Sequence, residues 1–316
     1  MNKIRSIITI LALVSVIAGQ PLLWADGTDS GSVGKAENLS PLLAGSFQTD
    51  LATGSATAGI SITVPPGRKN MHPQIALSYS NNTQNGVCGV GWSLTGSSIQ
   101  RSTKKGVPKY DSTDSYIFAS SGSTGELILA DAAENRYCQK IETSFMKYIY
   151  ENANSRWLVY DKSGTKYIFG STVNSRLTNG GGTLIFAWYL DRVEDVNGNA
   201  VLFTYEKDLG QIYLSKIEYT ANDAVTPALS PDKKVDLIYE TNRPDAITSN
   251  RYGWKIETLR RLKEIRVSVD NSLVWRYSLN YTASHDTGRS LLTQVTLIDA
   301  SGNSFPPKKF TYQTIE

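Results

Sequence analysis

Five carboxylates in the middle of the chain, Glu142, Glu151, Asp191, Glu194 and Asp195, are the residues best suited by type to acid–base chemistry. A glycosidase needs two such groups flanking a sugar, one protonated and one ionised. Carboxylates are scattered over any soluble surface, however. Glu194 and Asp195 are adjacent, so a strand carrying both points them to opposite faces. The run Asp195-Val196-Asn197-Gly198-Asn199 alternates oxygen side chains as a calcium loop does. An EF-hand loop places its glycine after the third ligand, whereas Gly198 precedes Asn199, so the spacing predicts a hairpin. His72 precedes Pro73 and His285 precedes Asp286. Both are expected to be exposed, and neither has the partners of a nucleophilic triad. With Cys88 and Cys138 these are the only His and Cys residues, and they show no metal-ligand spacing. The glycine-rich loop 86–96 opens no helix and has no Lys before a Ser or Thr, which excludes a phosphate cradle. Its glycines are expected to let the backbone pass tightly under Trp92. No catalytic, cofactor-binding or metal-binding residue is assigned, binding residues are left unknown, no cofactor is expected, and the chain is read as a non-enzyme.

The elements around these residues are strands. Candidate strands fall at 60–64, 75–79, 116–119, 126–129, 137–142, 145–150, 157–160, 166–169, 184–193, 200–205, 212–219, 235–239, 262–269, 273–279, 291–298 and 309–312. Their roughly ten-residue spacing, with turn signals between them, predicts an all-β chain of many short antiparallel strands and hairpins, forming a shell, sandwich or barrel-like module. One unit recurs as strand, Asp-x-x-Gly turn and strand at Asp161, Asp195 and Asp299. Asn-Gly or Ser-Gly supplies the left-handed positions of a two-residue turn, and the Asp can bond back to the backbone. Segments 220–232 and 242–251 read as surface loops.

The first residues carry Lys3 and Arg5, an apolar run over 7–18, and Ala25 before Asp26. This is a signal peptide, 1–25, too short for a stable transmembrane anchor. The chain is therefore expected to be secreted, passing through the periplasm. Residues 26–39 form a Gly- and Ser-rich leader, and 40–316 one β domain with a sub-boundary near 106. Net charge is +3, from 32 basic and 29 acidic residues. The densest basic stretch, 260–266, is interrupted by Leu262 and Ile265, the solvated side of a strand rather than a nucleic-acid interface. Cys88 and Cys138 can form a disulfide in an oxidising compartment or stay as buried thiols; sequence leaves both open.

An ordered series of motifs covers 45–101: Thr53-Gly54-Ser55-Ala56, Val64-Pro65-Pro66-Gly67, Pro73 through Tyr79, and Gly89-Val90-Gly91-Trp92 through Arg101. The series resembles the N-terminal domain of the Salmonella virulence plasmid B (SpvB) family, shared with B components of insecticidal Tc toxins and with RHS-type toxin shells. The Asp-x-x-Gly hairpins look like the YD-type repeats of those shells. The resemblance implies a non-catalytic, toxin-associated structural module that encloses or presents a toxin partner. Its partners would be other toxin-complex or RHS-type polypeptide segments. The family's ADP-ribosyltransferase is a separate C-terminal domain with a Glu-x-Glu motif, which this sequence lacks. The chain is thus expected to be a short stand-alone member or the front of a truncated toxin. The family also places acidic and basic residues where Glu240, Arg243 and Asp245 stand, expected as surface ion pairs, and an exposed sheet edge is expected near Phe310 and Tyr312. The alternative reading is a carbohydrate- or surface-binding module, or a cryptic hydrolase, using Trp92, Trp157, Trp188 and Trp254 as exposed platforms.

Overall fold

The computed structural model describes residues 45–50, 55–120, 123–142 and 144–313. The signal peptide and the leader fall outside the described residues. Alternation of apolar and polar residues builds four antiparallel strands first: β1 (Gly45–Asp50), β2 (Ser55–Ile62), β3 (Ile75–Ser80) and β4 (Trp92–Leu94), neighbours in that order. Val64 to Gly67 ends this sheet's second strand as expected. Gly67 is required there, because a Cβ would meet the Met71 carbonyl oxygen at 1.8 Å.

Next come β5 (Ser98–Arg101), β6 (Tyr116–Ser120), β7 (Ser123–Asp131), β8 (Arg136–Gln139), β9 (Lys147–Glu151), β10 (Arg156–Tyr160) and β11 (Lys166–Phe169). They are followed by β12 (Arg176–Thr178) and the long β13 (Ile185–Glu194). Each of β5 to β11 pairs antiparallel with the next; β11 pairs with β13 (Tyr167 opposite Val193), and β13 returns to β5 (Trp188 opposite Ile99). Eight strands therefore close into a barrel, which removes their edges. Period-two alternation sends Ile99, Tyr116, Phe118, Leu127, Tyr148, Trp157, Val159, Phe169, Trp188 and Leu190 into one buried cluster. An eight-stranded ring is just wide enough for side chains to fill it.

The second half of β13 keeps β11 on one edge and takes a new partner on the other. Arg192, Val193 and Glu194 pair with β14 (Asn199–Asp208), starting a second sheet. It continues through β15 (Gln211–Asn222), β16 (Lys233–Glu240), β19 (Arg261–Val269), β20 (Ser272–Ala283), β21 (Ser290–Asp299) and β22 (Lys308–Lys309). A small hairpin of β17 (Ile247–Ser249) and β18 (Ile256–Thr258) interrupts it in sequence. Ile60, Ile62, Ile75 and Leu77 of the first sheet share a core with Val235, Leu237, Ile265, Val267, Leu292 and Leu297 of this one. The two sheets make a sandwich.

The all-β expectation and most strands hold. The strand expected at 309–312 ends at Lys309, since Phe310 and Tyr312 turn onto Trp92 instead of prolonging the ladder. The strand expected from 145 starts at Lys147; Phe145 has φ +53° and is exposed. Of the basic residues of β19, Lys263 and Arg266 are exposed between buried neighbours as expected, whereas the Arg261 side chain is largely buried. No helix among the described residues is long and apolar enough to cross a membrane.

Candidate functional site

The recurring Asp units fold identically. Asp161 Oδ1 accepts from the amides of Ser163 (2.8 Å) and Thr165 (3.0 Å). Asp195 Oδ1 does so from Asn197 (2.8 Å) and Asn199 (2.9 Å), and Asp299 Oδ1 from Ser301 (2.9 Å) and Asn303 (2.8 Å). Gly164, Gly198 and Gly302 all have positive φ. The expected two-residue turn is wrong: the amides of Asp161, Asp195 and Asp299 donate to the carbonyls of Thr165 (3.1 Å), Asn199 (3.0 Å) and Asn303 (3.0 Å), so three residues lie between each bonded pair. The Asp closes this longer loop by gathering two amides that a two-residue turn would not leave free. Burial pushes the Asp195 carboxyl up, but hydrogen bonds from Asn199 and Asn197 outweigh it and leave its pKa lowered. Its oxygens face amide donors, the arrangement of a turn and not of a cation site.

The other carboxylates serve local structure. Glu142 caps the Phe145 amide (2.5 Å), Glu151 pairs with Arg156 (2.5 Å), and Glu194 pairs with Arg192 (3.0 Å). Asp191 is buried; burial raises its pKa despite hydrogen bonds from Ser175, Ser171 and Thr172. Among the described residues no group of three or more His, Cys, Asp or Glu is placed to hold a metal. His285 is exposed beside Asp286 (3.4 Å), but His72 is half-buried, not exposed as expected. Cys88 and Cys138 are free thiols: Cys88 lies in the sandwich core, and Cys138 is half-buried on β8 of the barrel.

The densest polar cluster joins the glycine loop to the second sheet. Arg243, its side chain fully buried, donates to Asp245 Oδ1 (3.0 Å) and Oδ2 (3.1 Å), to the Gly86 carbonyl (3.0 Å) and to Asn85 Oδ1 (3.2 Å). Asp245 Oδ2 also accepts from Asn85 Nδ2 (2.8 Å) and the Ser290 amide (2.7 Å), and Oδ1 accepts from the Ser290 hydroxyl (2.5 Å). Arg261 extends the cluster to Ser290 Oγ (2.6 Å) and Glu240. Burial acts to raise the Asp245 pKa, yet bonds from Arg243, Ser290 and Asn85 hold it well below the usual carboxylate range. The expected surface ion pair is therefore a buried one. Sequence pointed to Arg243, Asp245 and Glu240, but Asn85, in the loop after β3, and Ser290, at the start of β21, are distant in the chain and carry no local signal.

This cluster positions the motif that follows. Gly89 (φ +85°) passes under the Ser290 carbonyl, where a Cβ would come within 2.6 Å; Gly91 (φ +80°) passes under the Tyr79 ring at 2.3 Å. The glycines thus clear Ser290 and Tyr79, not Trp92. Trp92 is 2 % exposed, packs on Phe310 and Tyr79, and donates its N–H to Tyr312 Oη (2.9 Å). Trp157 and Trp188 are fully buried in the barrel. Three of the four proposed sugar platforms are therefore core side chains, because these large rings fill interiors that aliphatics would leave hollow. Only Trp254, on the β17–β18 hairpin, is partly exposed.

The family profile for SpvB, the Salmonella virulence plasmid 65kDa B protein, matches residues 50–224, more than half of the chain. The mono(ADP-ribosyl)transferase SpvB of Salmonella choleraesuis is 28 % identical over 206 residues, which cover 50 % of this chain and 34 % of the relative. The chain thus spans about a third of the curated relatives it matches. The solved N-terminal domain of the effector SpvB from Salmonella typhimurium superposes with a TM-score of 0.65 at 22 % identity, over 76 % of this chain and 98 % of that one. TcdB2-TccC3 superposes at 0.71 and 19 % identity, over 87 % of this chain and 17 % of that one. At these identities the likeness to the solved structures is one of fold.

Proposed function

The chain belongs to the SpvB family, and from that premise we propose that it is a non-catalytic, toxin-associated structural module that encloses or presents a toxin partner. The observation that carries this reading is the end-to-end fold correspondence: the match takes in 98 % of the solved SpvB N-terminal domain, the part distinct from the transferase. Correspondence with one part of the much larger TcdB2-TccC3 supports the same reading. We take the partners to be other toxin-complex or RHS-type polypeptide segments, neither nucleic acid nor a bilayer, and the chain to be exported and released after the signal peptide is cut between Ala25 and Asp26. Fold alone does not fix function, so the test is biochemical. The tagged full chain, co-expressed with the polypeptides encoded beside it, is expected to elute with one of them as a stoichiometric complex. A monodisperse monomer that engages none of them overturns the reading. With radiolabelled NAD and host-cell lysate, the chain is expected to transfer no label.

A further inference from the structure

A second cleft, of about 560 Å³, lies away from the Arg243 cluster. The β12–β13 loop, the β14–β15 turn and the loop before β18 form its walls. Three observations there have no internal explanation. Gly180 and Gly181 have ordinary φ values, and a Cβ at either would meet open space or, at best, Asn179 Nδ2 at 4.0 Å. Neither backbone conformation nor packing within the chain requires these glycines. Their loop is nonetheless rigidly built: Asn179 Oδ1 accepts from the Thr183 (2.9 Å) and Leu184 (3.1 Å) amides, and the Gly182 amide donates to the Asn179 carbonyl (2.9 Å). The result is a fixed floor of bare backbone. Lys207 is half-buried at the wall, and its ammonium donates to Thr178 Oγ1 (3.3 Å) with no carboxylate partner among the described residues. Burial, with Arg176 nearby, lowers its pKa, as expected for a cation without a counter-charge. Lys255 in the same cleft is neutralised by Glu257 (3.0 Å). Finally, Val173 and Leu209 stand 72 % and 52 % exposed on its rim, and the Trp254 indole N–H is buried without an acceptor among the described residues.

We propose that this cleft docks a peptide segment carrying a carboxylate beside a bulky apolar side chain. Lys207 would take the carboxylate, the bare glycines would let the peptide backbone approach closely, and Val173, Leu209 and Trp254 would cover the apolar side chain. Aliphatic rim residues favour a peptide over a glycan, which would require ring-stacking faces and paired polar groups. With open space above Gly180 and Gly181, the cleft admits a chain that runs through it, so the carboxylate is that of an acidic side chain.

The test is amide NMR of the full chain. N-acetyl-Leu-Glu-Leu-amide and N-acetyl-Leu-Leu with a free carboxylate are titrated separately, with N-acetyl-Leu-Gln-Leu-amide as the uncharged control. Saturable shifts of the Gly180, Gly181 and Gly182 amides are expected with the Glu peptide; a response to the free-carboxylate peptide alone would assign the cleft to a chain terminus and overturn the proposal. Lys207→Gln should weaken binding roughly tenfold, the loss of one charge-assisted hydrogen bond. Gly181→Val should block it without lowering the melting temperature, since its side chain enters open space. Unmoved glycine amides at millimolar acid, equal binding of the Gln control, or a response to acidic oligosaccharides alone overturns the proposal. Failure here leaves the scaffold reading untouched, and loss of the co-expressed complex leaves the cleft untouched.

Discussion

The barrel and the sandwich are assembled from the same kind of strand but filled by different chemistry. Six of the ten residues in the barrel core are aromatic, against three of the nineteen in the sandwich core. The barrel is a ring, so its few inward positions must each fill a large volume, and Tyr116, Trp157 and Trp188 meet edge to face at 5.0–6.1 Å. The sandwich has two broad faces and can interdigitate many aliphatics. It has open edges instead, and it holds its sheets together with buried polar groups: Arg243 and Asp245, and the Tyr219 and Tyr277 hydroxyls bonded to the loop after β2. Closure by backbone pairing in one lobe is replaced by closure through side chains in the other.

The largest expected effect comes from breaking that side-chain closure. Asp245→Ala leaves the Arg243 charge buried and unpaired, and should destabilise the protein by about 3–5 kcal/mol in denaturant melts. Because the Asp245 pKa is depressed on folding, its contribution is complete above about pH 4 and is lost as pH falls below that value. Asp245→Asn should therefore flatten the acid limb of the stability profile; an unchanged limb would mean that the cluster does not carry the pH dependence. In the barrel the informative pair is Trp188→Phe against Trp157→Phe. Trp188 donates its N–H to the Ser155 carbonyl (2.8 Å), whereas the buried Trp157 N–H has no partner among the described residues. The first substitution should cost about 1 kcal/mol more than the second, and equal melts would refute that assignment. Asp195→Ala, at a turn, should cost about 1 kcal/mol and leave near-ultraviolet dichroism unchanged. The smallest perturbation is chemical. Burial pushes the Cys88 thiol up to about 12, so a thiol reagent should modify Cys138 alone in the native protein and both cysteines once unfolded. Native labelling of Cys88 would show that the glycine loop opens.

How much of this was readable from sequence differs between the lobes for physical reasons. Strands such as β10, β11 and β13 announce themselves through alternation, and the Asp161, Asp195 and Asp299 turns through residues whose donors and acceptors meet locally. The ring could not be read, because Trp188 opposite Ile99 is a pairing between segments far apart in the chain. Three-residue strands such as β12, β17 and β18 are too short to show a period. The Arg243 cluster was half legible, as its two ends are close in sequence while Asn85 and Ser290 arrive from other elements. The Gly180 to Gly182 floor of the second cleft left no signal beyond composition, since its meaning lies in the space above it.

One strand belongs to both lobes. β13 pairs with β5 through its first half, and its second half holds β11 of the ring on one edge and β14 of the sandwich sheet on the other, so fraying it in either lobe removes ladder bonds from the other. The described domain should accordingly absorb heat in a single cooperative peak, with no step in which the barrel melts alone. Amide protons along 187–194 should exchange only through that global transition, as the last in the molecule to do so.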